Sequence, residues 1–147
     1  MEAKYYTPEI REFCIGFEYE CNPAELAGGR PNWVKDVVTN AINLQGIETL
    51  LEAGCIRVKY LDAQDIEECG FTTDAGEIPS VFTYYKVLPD KTIYQISPYW
   101  YMRKEFRENL VRIYKGELHQ YPYNEIFRGN IKNKSELKKV LQMLDIK

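Results

Sequence analysis

Aromatic rings alternate with basic side chains between Tyr94 and Tyr123 of this 147-residue chain. Tyrosine and tryptophan offer a large contact area at small entropic cost, and arginine stacks on rings or binds phosphate and carboxylate groups. The residues that we expect to bind a ligand or partner are Tyr94, Tyr99, Trp100, Tyr101, Arg103, Arg107, Arg112 and Tyr114. The alternative for any single ring is sheet core, because aromatic residues favour strands. Core packing fits the adjacent triplet of residues 99–101 less well, since neighbouring strand residues point to opposite faces.

Two carboxylates form a second candidate site. Glu18 and Glu20 lie two residues apart, so a strand would place them on one face at a separation of about 6–7 Å. Such a pair could bind a divalent cation or share acid and base work, which keeps a carboxylate-based metal-dependent enzyme as a further alternative. The simpler interpretation is a solvated strand face, because charged residues are mostly exposed.

Cysteine and histidine chemistry has little support in the sequence. The four cysteines contain no C-x-x-C pair, and His119 is the only histidine, so a zinc site is not expected. Cys14 has no base at a defined spacing, which favours an inert thiol. The Ala27-Gly28-Gly29-Arg30 segment lacks the phosphate-loop pattern and is interpreted as a turn. We therefore predict a protein without enzymatic activity, metal or cofactor.

Charge is distributed unevenly along the chain. Residues 1–74 carry 6 Lys and Arg against 14 Asp and Glu, whereas residues 75–147 carry 13 against 8. The halves could neutralise each other within one fold, or acidic and basic surfaces of two copies could meet in a homo-oligomer. The net charge of −3 and the isoelectric point near 5.3 oppose non-specific binding of phosphates, so duplex nucleic acid is disfavoured as a partner.

Periodicity and turn signals predict a mixture of strands and short helices. Alternation predicts a strand that begins at Phe13, with Phe13, Ile15, Phe17 and Tyr19 on one face. Pro89-Asp90-Lys91 is typical of a hairpin loop. Asp62 is expected to cap one helix, and Asn133 another whose apolar stripe includes Leu137. The other predicted strands are 33–39, 56–60, 81–88, 92–97, 109–114 and 124–131, with a helix over 47–53 and an ambiguous segment over 99–108.

These elements predict an α+β fold with a mostly antiparallel sheet, two or three short helices and a packed C-terminal helix. The length predicts a single domain over residues 1–147. No stretch approaches the ~20 apolar residues of a membrane span, and residues 1–6 contain no apolar signal region. We therefore expect a cytoplasmic protein without a membrane partner.

Three stretches carry a resemblance to other proteins. They are Tyr5-Tyr6-Thr7-Pro8-Glu9-Ile10 leading into Gly16-Phe17-Glu18-Tyr19-Glu20, then Ile56-Arg57-Val58-Lys59-Tyr60-Leu61-Asp62 leading into Asp65-Ile66, and finally Gly129-Asn130-Ile131-Lys132-Asn133-Lys134-Ser135-Glu136-Leu137. Together they resemble a family of short uncharacterised proteins from Bacteroides-type gut bacteria and their phages. The resemblance implies a phage or mobile-element origin and a bacterial host cytoplasm, but no activity.

The function expected from these observations is binding without catalysis. By analogy with other small phage proteins, the leading prediction is that the aromatic-basic surface binds a host protein. The alternative is a counter-defence sponge that sequesters a nucleotide signalling molecule, since stacked rings and arginine also suit a base or nucleotide.

Overall fold

The computed structural model describes residues 4–40, 44–74, 83–99 and 109–147. It contains two antiparallel four-stranded sheets and a C-terminal helix, which confirms the α+β fold. In chain order the elements are β1 (Tyr5–Tyr6), a 3-10 helix (Ile10–Glu12), β2 (Glu18–Cys21), α1 (Pro23–Leu26), β3 (Val34–Val37), α2 (Leu44–Glu52), β4 (Ile56–Lys59), α3 (Ala63–Glu68), β5 (Tyr84–Val87), β6 (Thr92–Pro98), β7 (Leu110–Glu117), β8 (Asn124–Asn130) and α4 (Lys134–Met143).

The chain divides into two compact units. Unit 1 comprises Met1–Tyr60 with Asn133–Lys147, and unit 2 comprises Leu61–Lys132. Each unit holds one sheet, in the order β1-β4-β2-β3 for unit 1 and β5-β6-β7-β8 for unit 2. The single domain expected from the length stays a prediction. No helix in the described ranges is long and apolar enough to cross a membrane.

Unit 1 has an aromatic and aliphatic core, but the strand predicted from Phe13 begins only at Glu18. Gly16 adopts a φ of +86° in a turn that precedes β2, a backbone conformation that interrupts the strand. Ile15 is therefore 72% exposed instead of sharing the buried face. The core residues are Phe13, Phe17, Tyr19, Val38, Ile47, Ile56 and Val58.

Helix α4 completes unit 1 and begins as predicted. The Asn133 side chain accepts a hydrogen bond from the Glu136 amide at 2.9 Å, and Leu137 and Leu141 are buried. The buried hydroxyl of Ser135 accepts the amide of Glu18 at 2.9 Å, so the first turn of α4 is hydrogen-bonded to the start of β2. A basic helix from the end of the chain thus folds with the acidic first half.

The two units are closer in charge than the two halves of the sequence, because the acidic residues 61–74 belong to unit 2 and the basic segment 133–147 belongs to unit 1. Unit 1 carries 10 Lys and Arg against 11 Asp and Glu, and unit 2 carries 9 against 11. Neutralisation within the fold therefore accounts for the uneven sequence distribution. Assembly of copies through opposite charges stays a prediction, which mass measurements in solution at low and high salt would test.

Unit 2 forms an antiparallel meander whose first hairpin turns at the predicted loop. β5 and β6 pair across the Pro89-Asp90-Lys91 loop, and β7 pairs with both β6 and β8. Asp62 caps α3 by accepting the Asp65 amide at 3.1 Å, as predicted. The buried apolar residues of unit 2 include Ile66, Phe71, Tyr84, Ile93, Ile96, Val111, Ile113 and Ile131.

Candidate binding surface

Three adjacent strands of unit 2 bring part of the predicted aromatic-basic surface together. Arg112 on β7 lies directly opposite Ser97 on β6 and Arg128 on β8, and Tyr114 lies opposite Glu125. Residues that are directly opposite in an antiparallel pair share a face of the sheet. The Arg112 cluster consists of Tyr99, Arg112, Tyr114, Glu125 and Arg128.

Arg112 is the central residue of this cluster. Its guanidinium carbon lies 4.8 Å from the centroid of the Tyr99 ring, within the range of a cation–π contact. A hydrogen bond with the Tyr114 side chain raises the pKa of Arg112 above its ordinary value. Neighbouring rings therefore contact the guanidinium group. The Arg112 side chain is still 27% exposed.

One nitrogen of Arg112 makes no hydrogen bond to any residue that the structure describes. This nitrogen is Nε, and it is buried. Oε2 of Glu125 lies 3.7 Å from it, close enough for an ion pair but too far for a hydrogen bond. Buried polar atoms in folded proteins are normally paired, so this donor is an exception among the described residues.

Glu125 binds the second arginine of the cluster more closely. Nε and Nη2 of Arg128 donate to its two carboxylate oxygens at 2.9 and 3.1 Å. This hydrogen bonding, together with the charges of Arg128 and Arg112, lowers the pKa of Glu125. With two arginines and one carboxylate, the cluster carries a net positive charge.

Sequence reasoning missed Glu125 and Arg128 because they are brought together by a β-bulge. Residues three apart on a regular strand point to opposite faces. The register changes so that Ile113 pairs with Phe127 and Tyr114 with Glu125, which leaves Ile126 as an extra residue on β8. The Glu-x-x-Arg spacing would suggest an ion pair on a helix, but on a strand it indicates one only when the bulge is known.

More tyrosines extend the same face toward the β7–β8 turn. Gly116 shares the face of Arg112 and Tyr114, and a Cβ at its position would lie only 2.3 Å from Cδ1 of Tyr123. The rings of Tyr121 and Tyr123 meet edge to face with centroids 5.5 Å apart, and Tyr121 is 81% exposed. The absence of a side chain at Gly116 thus lets the Tyr123 ring lie against the strand.

Only part of the predicted surface is assembled in this way. Tyr94 lies opposite Lys115, on the other face of the sheet from Arg112, and is 6% exposed. The structure therefore does not bring it together with Tyr99, Arg112 and Tyr114, and its ring is core, the alternative noted from the sequence. Four predicted residues, Trp100, Tyr101, Arg103 and Arg107, lie outside the described residues.

The two carboxylates predicted as a pair in unit 1 each bind a different cation. Nε and Nη2 of Arg57 both lie 2.7 Å from Oε2 of Glu20, and Lys138 on α4 forms a short ion pair with Glu18. Within the described part of the chain, no group of three or more His, Cys, Asp or Glu residues could hold a metal ion. With both carboxylates in ion pairs, Glu18 and Glu20 give no support to a metal-dependent active site.

Arg57 is also the centre of an aromatic cluster that sequence reasoning missed. Its guanidinium carbon lies 3.7 Å from the centroid of the Tyr5 ring and 4.2 Å from that of the Trp33 ring. We call Tyr5, Glu20, Trp33 and Arg57 the Arg57 cluster. Its members come from three strands and one loop, so no local spacing in the sequence indicates it.

Comparisons with known proteins do not add a family or an activity to this geometry. No family model, no curated protein and no solved structure matches the chain. The resemblance to short proteins of gut bacteria and their phages stays a prediction. The function is therefore argued from the clusters described above.

Proposed function

We propose that this protein is a non-enzymatic accessory protein of a phage or mobile element that binds a host protein through the Arg112 cluster. The observation that carries the proposal is the partly exposed side chain of Arg112, which lies beside the Tyr99 ring and whose Nε has no hydrogen-bond partner among the described residues. The Arg112 side chain is 27% exposed, so a carboxylate of a partner can approach the guanidinium group from solvent.

The chemistry of the cluster favours a protein surface as its partner. Tyrosine and arginine are enriched among the residues that contribute most binding energy at protein interfaces. Arg112 and Tyr114 lie on one face of β7, Tyr99 follows the end of the neighbouring β6, and the exposed Tyr121 lies beyond them toward the β7–β8 turn. A complementary surface would present a carboxylate to Arg112 and apolar groups to the rings.

The cellular setting in the proposal comes from the sequence alone. The resemblance to proteins of Bacteroides-type gut bacteria and their phages supplies the phage or mobile-element origin. The same resemblance supplies the bacterial host cytoplasm as the location. The Arg112 cluster supports the binding step independently of both.

Affinity capture from the host lysate tests this proposal. The immobilised protein, its Arg112→Ala variant and its Tyr99→Ala variant would be compared by quantitative mass spectrometry. Arg11→Ala is the matched control, because Arg11 is an exposed arginine in unit 1 paired with Glu9. We expect a partner that wild type and Arg11→Ala retain and that both cluster variants bind at least about tenfold more weakly.

A different result would remove the Arg112 cluster from the proposed function. If every captured protein is retained equally by Arg112→Ala, Tyr99→Ala and Arg11→Ala, the cluster does not bind the partner. Circular dichroism of each variant would confirm that a lost partner does not result from unfolding.

A nucleotide ligand is the second candidate, and one observation favours it. Arg112 and Arg128 lie directly opposite each other on neighbouring strands, an arrangement that repels unless an anion lies between them. Glu125 supplies one such anion, and a phosphate group next to the Tyr99 ring would supply another. A ligand at one hundred times its Kd stabilises a protein by about 2.7 kcal/mol. A panel of cyclic and linear nucleotides that leaves the melting temperature unchanged would contradict this candidate.

A further inference from the structure

Cys14 and Lys139 form an unusually close pair in unit 1, outside the surface described above. Nζ of Lys139 lies 2.6 Å from Sγ of Cys14, although the residues are 125 positions apart. An N–H···O hydrogen bond spans about 2.9 Å. Because sulfur is larger than oxygen, the nitrogen and sulfur atoms are closer than a hydrogen bond between them would place them. Their separation matches two atoms that share one bridging oxygen.

The fold holds both side chains in place. The carbonyl of Cys14 accepts the Phe17 amide at 2.9 Å, and Phe13 and Phe17 on either side are buried in the core. Lys139 lies two residues after Leu137 on α4, and Leu137 is also buried. Packed elements therefore fix the backbone positions from which the thiol and the amine meet.

Two further contacts connect the same segments. The amide of Glu18 donates to Ser135, and the carboxylate of Glu18 pairs with Lys138, the residue before Lys139. Cys14 is half-buried and Lys139 is exposed, so a small oxidant can reach the pair. A thiol that is accessible to peroxide can be oxidised to a sulfenic acid, and the adjacent amine is a second nucleophile.

We propose that Cys14 and Lys139 are an oxidation site that closes into a covalent S–O–N cross-link between the segment before β2 and helix α4. The oxidant is a peroxide. Cys14 thiol and Lys139 ammonium react with two hydrogen peroxide molecules to give the linked product, three water molecules and one proton. One S–O bond and one O–N bond form, while one S–H bond, two N–H bonds and two O–O bonds of peroxide break. One of these two N–H bonds releases the proton, and the third N–H bond of the ammonium group remains in the product.

The electrons balance in this reaction. Sulfur and nitrogen each lose two electrons, and each of the two peroxide molecules accepts two. One peroxide oxygen remains as the bridge and the other three leave as water. A thiol reductant would reverse the oxidation and restore both side chains, so the pair is a candidate redox switch that locks α4 to the rest of unit 1.

Mass spectrometry of the full chain after treatment with hydrogen peroxide tests the proposal. We expect a product heavier by one oxygen atom less two hydrogen atoms, reversed by dithiothreitol. Peptide mapping should find the Cys14 peptide joined to the Lys139 peptide, with no tryptic cleavage after Lys139. The cross-linked protein should also melt at a higher temperature, because the link restricts the unfolded chain.

Two variants distinguish this reaction from ordinary cysteine oxidation. Lys139→Arg keeps the charge but removes the primary amine, so its cross-linked product should disappear. Lys138→Arg is the matched control, since it changes the neighbouring lysine, and it should form the product as wild type does. If wild type gives only sulfenic, sulfinic or disulfide products, and Lys139→Arg gives the same products at the same rate, the proposal is wrong.

Discussion

The Arg57 and Arg112 clusters use the same residue types but satisfy their arginines to different degrees. Arg57 contacts two rings and directs two nitrogens to one oxygen of Glu20. Arg112 contacts the Tyr99 ring, and its Nε has no hydrogen-bond partner in the described part of the chain. We therefore expect Arg57 to stabilise unit 1, whereas Arg112 is the arginine that we propose for binding.

The largest effect that we expect from this comparison is on stability in unit 1. Arg57→Ala removes a hydrogen-bonded charge worth about 1.5–3 kcal/mol and leaves Glu20, which is 15% exposed, without its cation. Allowing for the partial exposure of Arg57, we expect the free energy of unfolding to fall by about 2 kcal/mol. Urea denaturation measures this loss. Arg57→Lys should lose less, because it keeps the charge, and a loss below about 0.5 kcal/mol would contradict a structural role.

Alanine at two glycines should change stability in opposite directions in the two units. Gly116→Ala places a Cβ against the Tyr123 ring, so overpacking should cost about 1–3 kcal/mol. Gly46 is the matched control, because it lies in α2 with an ordinary φ and nothing lies within 4 Å of the position that a Cβ would occupy. Gly46→Ala should stabilise the protein by about 0.4–1 kcal/mol. Thermal unfolding of both variants checks the sign.

If Gly116→Ala is as stable as wild type, the Tyr123 ring can leave the strand without cost. That result would mean that the tyrosines next to the Arg112 cluster are not a fixed part of its face. Near-ultraviolet circular dichroism would report the changed environment of the rings directly.

Arg112→Ala should affect stability less than Arg57→Ala does. The Arg112 side chain gives up one ring contact, a bond to Tyr114 and a long ion pair, and exposed ion pairs contribute little to folding. We expect its urea midpoint to match that of Arg11→Ala. A midpoint as low as that of Arg57→Ala would show that the two clusters play the same structural role.

The smallest expected effect is a pH dependence in unit 2. The pKa of Glu125 is lowered from its ordinary value of 4.5, so the folded state favours its ionised form. The stability that Glu125 contributes is present above that ordinary pKa and is lost as pH falls through the lower folded value. The free energy of unfolding of Glu125→Gln should therefore fall less than that of wild type as the pH is lowered. An NMR titration in which Glu125 has an ordinary pKa would contradict the proposed Arg128 and Arg112 contacts.

Local patterns in the sequence predicted the elements better than the contacts among them. The sequence correctly predicted three local features, because each depends on residues close in sequence. They are the caps at Asp62 and Asn133 and the hairpin loop over Pro89-Asp90-Lys91. The prediction that Ile15 shares the buried face was wrong. The alternation of apolar residues continues through Gly16, whose positive φ interrupts the strand.

Side-chain partners were harder to predict because they depend on register and on distant segments. The bulge at Ile126 decides that Glu125 reaches Arg128, and the position of α4 decides that Lys138 reaches Glu18. Arg57 meets Glu20 only because β4 lies beside β2, an order that skips β3 and α2. The sequence could indicate an aromatic-basic surface in unit 2, but not which of its described arginines has a donor without a partner among the described residues.

The boundaries of unit 2 have a consequence for how the molecule is built. The amide of Leu61 donates to the carbonyl of Lys132 at 2.7 Å, so the first and last residues of this unit are neighbours. Unit 2 is therefore a closed insertion within unit 1, whose own sequence is interrupted by it. During synthesis the inserted segment can be completed first, whereas unit 1 must wait for α4 to emerge from the ribosome. The same closure makes the segment exchangeable, since a replacement needs only two ends that meet.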